Sequence, residues 1–222
     1  MTAKPIPVIA IDGPSASGKG TVAQIVAEKL GYHYLDSGAL YRIVALAALD
    51  EGLDWQEEND IAELVPQLKI EFEHGEVYLN NQNVSERIRT EIMGQGASQV
   101  AAHPLVRSAL VNLQHSFRKA PGLVADGRDM ASVIFPDAKI KIFLTASAEV
   151  RAERRYKQLL SKGQEADYQK ILKDLQDRDA RDMQRIVSPL IPTADANLLE
   201  TSQLNVEQAV DIVLTTISAK NG

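Results

Sequence analysis

The sequence predicts an α/β fold of about five parallel strands flanked by helices, with a small inserted antiparallel β region and a helical lid-like pair. Three observations carry this. Apolar, β-prone runs recur at Val8–Asp12, 32–36, 123–126, Ile140–Thr145 and 196–200, and segments of helical period lie between several of them. Such alternation builds a parallel sheet covered on both faces. Over 68–84 the pattern changes to short alternating strands, and two charged helical segments, Ala148–Ser161 and 168–185, meet around Gly163.

The first strand runs into the loop Gly13-Pro14-Ser15-Ala16-Ser17-Gly18-Lys19-Gly20-Thr21. A G-x-x-x-x-G-K loop between a strand and a helix binds phosphate for physical reasons. The glycines let the backbone curl its N–H groups inward, and the helix adds its unpaired N–H groups and the positive end of its dipole. Lys19 then reaches the β- and γ-phosphates of a nucleoside triphosphate, so residues 13–21 are the expected ATP site. The usual Ser/Thr after the lysine is Gly20 here, which removes the ordinary direct Mg²⁺ ligand. Any Mg²⁺ is then held mainly by water and by the nucleotide.

The following helix repeats apolar residues at Val22, Ile25, Val26 and Leu30 and stops at Gly31, a C-cap signal. The second strand closes on Asp36-Ser37-Gly38, with Tyr41 and Arg42 on the helix that begins there. Strand C-terminal ends line the ligand crevice of a parallel sheet, so Asp36, Ser37 and Arg42 are expected on the rim of the phosphate loop. Asp36 and Ser37 equally suit a helix N-cap. In the inserted region, His74-Gly75 and Asn80-Asn81 are the turn signals.

Asp126-Gly127-Arg128-Asp129 closes the next core strand. Asp126 is placed to orient waters around Mg²⁺, while Arg128 and Asp129 point toward whatever lies opposite the triphosphate. Further on, Arg178, Arg181, Asp182 and Arg185 follow offsets of i, i+3, i+4 and i+7, one helix face. They suit a phosphoryl group and a sugar hydroxyl, and also a plain surface ion-pair network. The last helix is expected over 206–219, with Asn205 and Gln208 as a capping box. His33, His74, His103 and His115 have no ligand spacing and read as structural or surface residues.

With 222 residues, 45% hydrophobic and 24% charged, the chain suits one domain over 1–222. Within it, approximately 62–96 is the inserted region and 148–167 the lid. There is no cysteine, which excludes disulfides and thiol chemistry. Residues 1–7 lack a signal-peptide run and no segment resembles a membrane span, so a cytoplasmic protein is expected. The net charge of −6 speaks against a general nucleic-acid binder. The charge is uneven: residues 151–185 hold six Arg and four Lys against seven Asp/Glu, a balance of +3 that leaves −9 elsewhere. The cations at the far end of that segment are all arginines, which grip phosphate well.

Taken together, the phosphate loop, Asp36-Ser37-Gly38-Ala39-Leu40-Tyr41-Arg42, Ala97-Ser98-Gln99-Val100-Ala101, Asp126-Gly127-Arg128-Asp129 and Arg178-Asp179-Ala180-Arg181-Asp182 resemble the bacterial cytidylate kinases. The resemblance spans nearly the whole chain and implies a P-loop kinase core. It implies transfer of the γ-phosphoryl group of ATP to CMP or dCMP, with Mg²⁺, by a monomer that needs neither nucleic acid nor membrane. It places Ser98, Arg107 and Asp129 on the cytosine ring, and Arg181 and Asp182, with Arg178 beside them, near the sugar. Ser37, Arg42, Arg128 and Arg185, with Asp36, fall near the acceptor phosphate, and Tyr41 packs on the acceptor nucleotide. Lys19, Arg128, Arg181 and Arg185 become the catalytic charges. The sequence departs from the family at Ala16-Ser17, where glycine then alanine is more usual, and the roles of Arg151, Arg154 and Arg155 stay open. The alternative is a P-loop kinase for another small acceptor, such as UMP, another nucleotide or a hydroxy acid. A GTPase-type switch is disfavoured because the chain contains no Asn-Lys-x-Asp run.

Overall fold

The computed structural model describes residues 5–73 and 76–221. In chain order, β1 (Val8–Asp12), α1 (Lys19–Leu30), β2 (His33–Asp36) and α2 (Ser37–Asp50) come first. They are followed by α3 (Glu58–Leu64), β3 (Ile70–Glu73), β4 (Glu76–Leu79), β5 (Gln82–Asn83), α4 (Glu91–Val100) and α5 (Pro104–Ser116). Then come β6 (Leu123–Gly127), β7 (Ile140–Thr145), α6 (Ala148–Ser161), α7 (Tyr168–Gln184), β8 (Asn197–Glu200) and α8 (Val206–Asn221). The chain forms two compact units, Met1–Asp36 with His115–Gly222, and Ser37–Gln114.

The first unit is built on a five-stranded sheet in the order β2-β6-β1-β7-β8, parallel throughout. All five expected strands are present, within a residue at each end. Every residue of β1 and β6 is buried, as in a sheet covered on both faces. Ile9, Ile11, Ile140, Ile142 and Leu144 pack with Val22, Val26, Val210 and Val213 of α1 and α8 in one core. Gly31 caps α1 in the left-handed conformation at φ 65°. The expected capping box opens α8: the Gln208 amide donates to Asn205 Oδ1 at 2.8 Å, and the Asn205 amide donates to Gln208 Oε1 at 3.0 Å. The register aligns Asp12 with Gly127 and Asp36 with Asp126, so the acidic strand ends lie along one edge of the sheet. α6 and α7 form a second, smaller core from Ala152, Leu159, Ile171 and Leu175.

The second unit holds the inserted antiparallel sheet, in the order β3-β4-β5. Asn80 and Asn81 turn between β4 and β5 with φ of 50° and 65°, the pair of left-handed residues that a tight hairpin needs. The other expected turn, His74-Gly75, lies outside the described residues. α2 is apolar almost all round and correspondingly buried, at Leu40, Ile43, Val44, Leu46 and Ala48 among others. α4 packs beside it; a Cβ on Gly96 would lie 2.6 Å from the Trp55 ring, so only glycine permits that approach. Among the described residues, no helix is long and apolar enough to cross a membrane.

Candidate active site

Local backbone geometry sets the course of the loop after β1. A Cβ on Gly13 would lie 1.9 Å from the Leu144 carbonyl oxygen, which excludes any side chain there. Ala16 and Gly18 have φ of 58° and 91°, and Gly18 leads directly into α1. Lys19, on the first turn, is buried. Its Nζ donates to the Pro14 carbonyl at 3.3 Å and stands 3.7 Å from Asp126 Oδ1. Burial lowers its pKa from 10.5 to about 8; Arg128 adds to the fall, and Asp126 and Asp36 oppose it. A cation kept desolvated this way has little water to shed when an anion approaches.

Two acids of the sheet edge, Asp126 and Asp36, act on this lysine. Asp126 accepts from the Tyr34 hydroxyl at 3.3 Å through Oδ2. Burial pushes its pKa from 3.8 up to about 6, helped by Asp36 and opposed by Lys19 and Arg128. Burial also drives the Tyr34 hydroxyl well above its ordinary value. Asp12 ends β1, and its two oxygens accept from the amides of Met130 and Ala131, both at 2.8 Å. Burial raises its pKa to about 7 despite those two bonds. Asp12 thereby anchors the π-helical turn Met130–Ile134, and with it the Arg128-Asp129 pair just upstream.

Residues fitted for Mg²⁺ are few. No group of three His, Cys, Asp or Glu side chains converges among the described residues. Asp126 Oδ1 is buried and accepts no hydrogen bond there, and a Cβ on Gly20 would already stand 3.0 Å from Asp126 Oδ2. Asp126 thus occupies the space that a side chain after the lysine would need. One hard oxygen donor fits a cation held chiefly by water and nucleotide oxygens.

Arg128 bridges the loop to α7. Its Nη2 donates to Ser15 Oγ at 2.7 Å and its Nε to Asp182 Oδ2 at 2.9 Å. Burial alone raises the Asp182 pKa, but Arg128, Arg185 and Arg178 together hold it below the ordinary carboxylate value. Arg185 stands 3.9 Å from Asp182 Oδ1. Arg178 and Arg185 both act on Asp182, as the expected face has it, but the helix stops one residue short of Arg185. α7 ends at Gln184, and Arg185 is its C-cap with extended backbone, ψ 140°. Asp182 is buried, Arg178 and Arg185 are half-buried, and Arg181 is exposed.

In the second unit, the Arg107 guanidinium lies 5.6 Å from the centroid of the Tyr41 ring, and both side chains are buried. Arg107 Nη1 also donates to the Ala101 carbonyl at 3.2 Å. Ser37 donates to Gln114 Oε1 at 2.9 Å. Arg42 Nη1 donates to the carbonyls of Ile88 at 2.8 Å and Thr90 at 3.2 Å. Ser98 is buried on α4.

The sequence model of the cytidylate kinases matches residues 9–219. The chain belongs to the cytidylate kinase family. A protein of Polynucleobacter necessarius named cytidylate kinase is 60% identical over 208 residues, covering 94% of this chain and 97% of its own. One of the same name from Polynucleobacter asymbioticus is 61% identical over 209 residues, covering 94% and 95%. Among solved structures, an uncharacterized protein from Eubacterium ventriosum shares the fold with a TM-score of 0.52 and 13% identity, over 96% of this chain and 99% of that one.

For this member of the cytidylate kinase family, the structure gives two of the three arginines left open a definite place. Arg151 is buried; it donates to the Ser15 carbonyl at 3.1 Å, to the Ala146 carbonyl at 2.9 Å and to both oxygens of Asp179. Arg154 donates to the Ser17 carbonyl at 3.1 Å and to the Thr201 carbonyl at 2.5 Å. Both brace the phosphate-loop backbone from α6, whereas Arg155 meets Gln158 on the exposed side. Neither these braces nor the Asp12 anchor was predicted. The one sequence signal of the braces is the choice of arginine over lysine, and Asp12 has none. His33, His103 and His115 each hydrogen-bond a backbone carbonyl, in keeping with structural roles, and His74 lies outside the described residues.

Proposed function

We propose that the chain transfers the γ-phosphoryl group of ATP to CMP or dCMP, giving ADP and CDP or dCDP. The observation that carries this is the phosphate loop closed around a buried Lys19, in a chain about 60% identical over nearly its full length to proteins named cytidylate kinase. Lys19 supplies a desolvated positive charge to the β- and γ-phosphates, and the loop amides bind the same oxygens. Arg128, Arg181 and Arg185 match the charge that develops during transfer, since positioning and neutralisation do most of the work in phosphoryl transfer. Mg²⁺, when bound with ATP, neutralises the phosphate oxygens, and Asp126 is the residue proposed to hold its waters. Asp129, Arg107 and Ser98 are the proposed readers of the cytosine edge. Asp36, Ser37, Tyr41, Arg42, Arg178 and Asp182 are proposed to hold the rest of the acceptor. A cytoplasmic monomer, acting where ATP and nucleoside monophosphates meet, goes with this reading.

A panel of monophosphate acceptors with Mg²⁺ and ATP tests it. CMP and dCMP should be phosphorylated far faster than UMP, AMP or GMP. A chain that prefers any of the last three, or hydrolyses ATP without an acceptor at the same rate, does not have this function.

A further inference from the structure

We propose that Arg151 and Asp179 are positioning residues that couple the phosphate loop to α7. Ser15 is gripped twice. Its hydroxyl accepts from Arg128 Nη2 at 2.7 Å and its carbonyl from Arg151 Nη1 at 3.1 Å. Each guanidinium then continues to a buried carboxylate on α7. Arg128 reaches Asp182 at 2.9 Å; Arg151 forks onto Asp179 at 3.2 and 2.5 Å. Asp179 and Asp182 are three residues apart and so share a helix face. Two parallel struts thus run from one loop residue to one face of one helix.

The outer strut has no other evident task. All three nitrogens of Arg151 are engaged, with Nε on the Ala146 carbonyl just beyond β7. Arg151 as a whole is only 4% exposed, and its guanidinium is bonded to the sheet end, the loop and the helix together. A planar fork held at three points resists rotation in a way that a lysine ammonium does not. Any displacement of the Ser15 backbone when phosphates fill the loop therefore reaches Asp179, and with it the neighbouring Arg178, Arg181 and Asp182. The proposal rests on the kinase reading only in calling those neighbours acceptor residues; the coupling itself does not need it.

Hydrogen exchange of the α7 amides tests the coupling without any acceptor. The parent and the variants Asp179→Asn and Arg151→Lys are compared with and without a non-hydrolysable ATP analogue and Mg²⁺. Calorimetry confirms analogue binding, and thermal melting confirms the fold. In the parent, the analogue should slow exchange in α7 by about fivefold or more, the lower range of ordinary site-to-site coupling. In both variants the analogue should still bind, while protection in α7 disappears and kcat falls more than KM for ATP rises. Unchanged α7 exchange in the parent overturns the proposal, and so does protection that survives in the variants. Loss of analogue binding in both folded variants overturns it too, because the pair then shapes the loop instead of linking it to α7. If one variant fails to fold, the parent and the other decide. A failed acceptor panel leaves this result untouched, so the two readings fail separately.

Discussion

At the scale of single residues, the site is a set of charges held out of water. Lys19 is the clearest case, with its pKa lowered to about 8 chiefly by burial. In the free enzyme it loses its proton as the pH rises through that value, and with it the charge proposed to attract the triphosphate. kcat/KM for ATP reports the free enzyme, so it should fall about tenfold per pH unit well above the pKa, whereas kcat holds to higher pH because bound phosphates keep the ammonium charged. Lys19→Arg should lower activity overall yet lack this alkaline limb, since a guanidinium does not titrate there. A limb unchanged in Lys19→Arg assigns the titration elsewhere. Asp129 carries a second prediction. Cytosine offers an amino donor where uracil offers a carbonyl, so a carboxylate accepts from the first and repels the second. A base contact of this kind is worth roughly 1–3 kcal/mol of discrimination. Asp129→Ala should therefore narrow the ratio of kcat/KM for CMP over UMP by about tenfold or more. An unaltered ratio in a folded variant removes Asp129 from the readers.

At the scale of elements, local pattern and long-range contact divide what was legible. The five strands, the α1 cap, the Asn205–Gln208 box and the Asn80-Asn81 turn are encoded within a few residues of themselves, and the sequence names them. α4 is different: Gly94 and Gly96 make it a poor helix by propensity. It forms because Gly96 lets the Trp55 ring come close and Thr90 caps it from Oγ1, contacts that no local pattern announces. The Met130–Ile134 turn depends in the same way on Asp12, far away in sequence. In the proposed site, the course of the loop after β1 and the alignment of Asp36 with Asp126 were legible because both follow from local pattern. The bracing arginines were not, because a strut is defined only by what lies at its other end. Those braces also refine the proposed lid. The first turns of α6 are tied to the loop through Arg151 and Arg154, while its far half and the connection to α7 rest on a small apolar core around Leu159, Ile171 and Tyr156. Movement should thus be confined to about 156–167. Hydrogen exchange there should slow several-fold when both nucleotides bind, with 148–154 little changed. Equal protection of 156–167 with and without ligands counts against a lid.

At the scale of the whole molecule, the same buried charges set how stability depends on pH. Asp126 and Asp12 have folded pKa values raised from 3.8 to about 6 and about 7, mainly by burial. The folded state therefore holds these protons more tightly than the unfolded state. Their contribution to stability is fully present below about pH 4 and is lost as the pH rises through the folded values. Lys19 works from the other side: its pKa falls from 10.5 to about 8, so the unfolded state holds the proton more tightly and stability recovers only above about pH 8. Between about 7 and 8 all three groups are charged in a desolvated pocket, and the ligand-free protein carries their full cost. Mg²⁺ and a triphosphate are proposed to give Asp126 and Lys19 partners, so nucleotide binding should raise the melting temperature most in that range. The contribution of Asp126 can be isolated by comparing denaturant unfolding of the parent and Asp126→Asn between pH 4 and 6. That window lies between its unfolded value of 3.8 and its folded value of about 6. The parent should lose stability relative to the variant steadily across it. A difference that stays flat, or that grows in favour of the parent, would mean that the Lys19 ion pair outweighs desolvation and that the carboxylate is ionised well below pH 6.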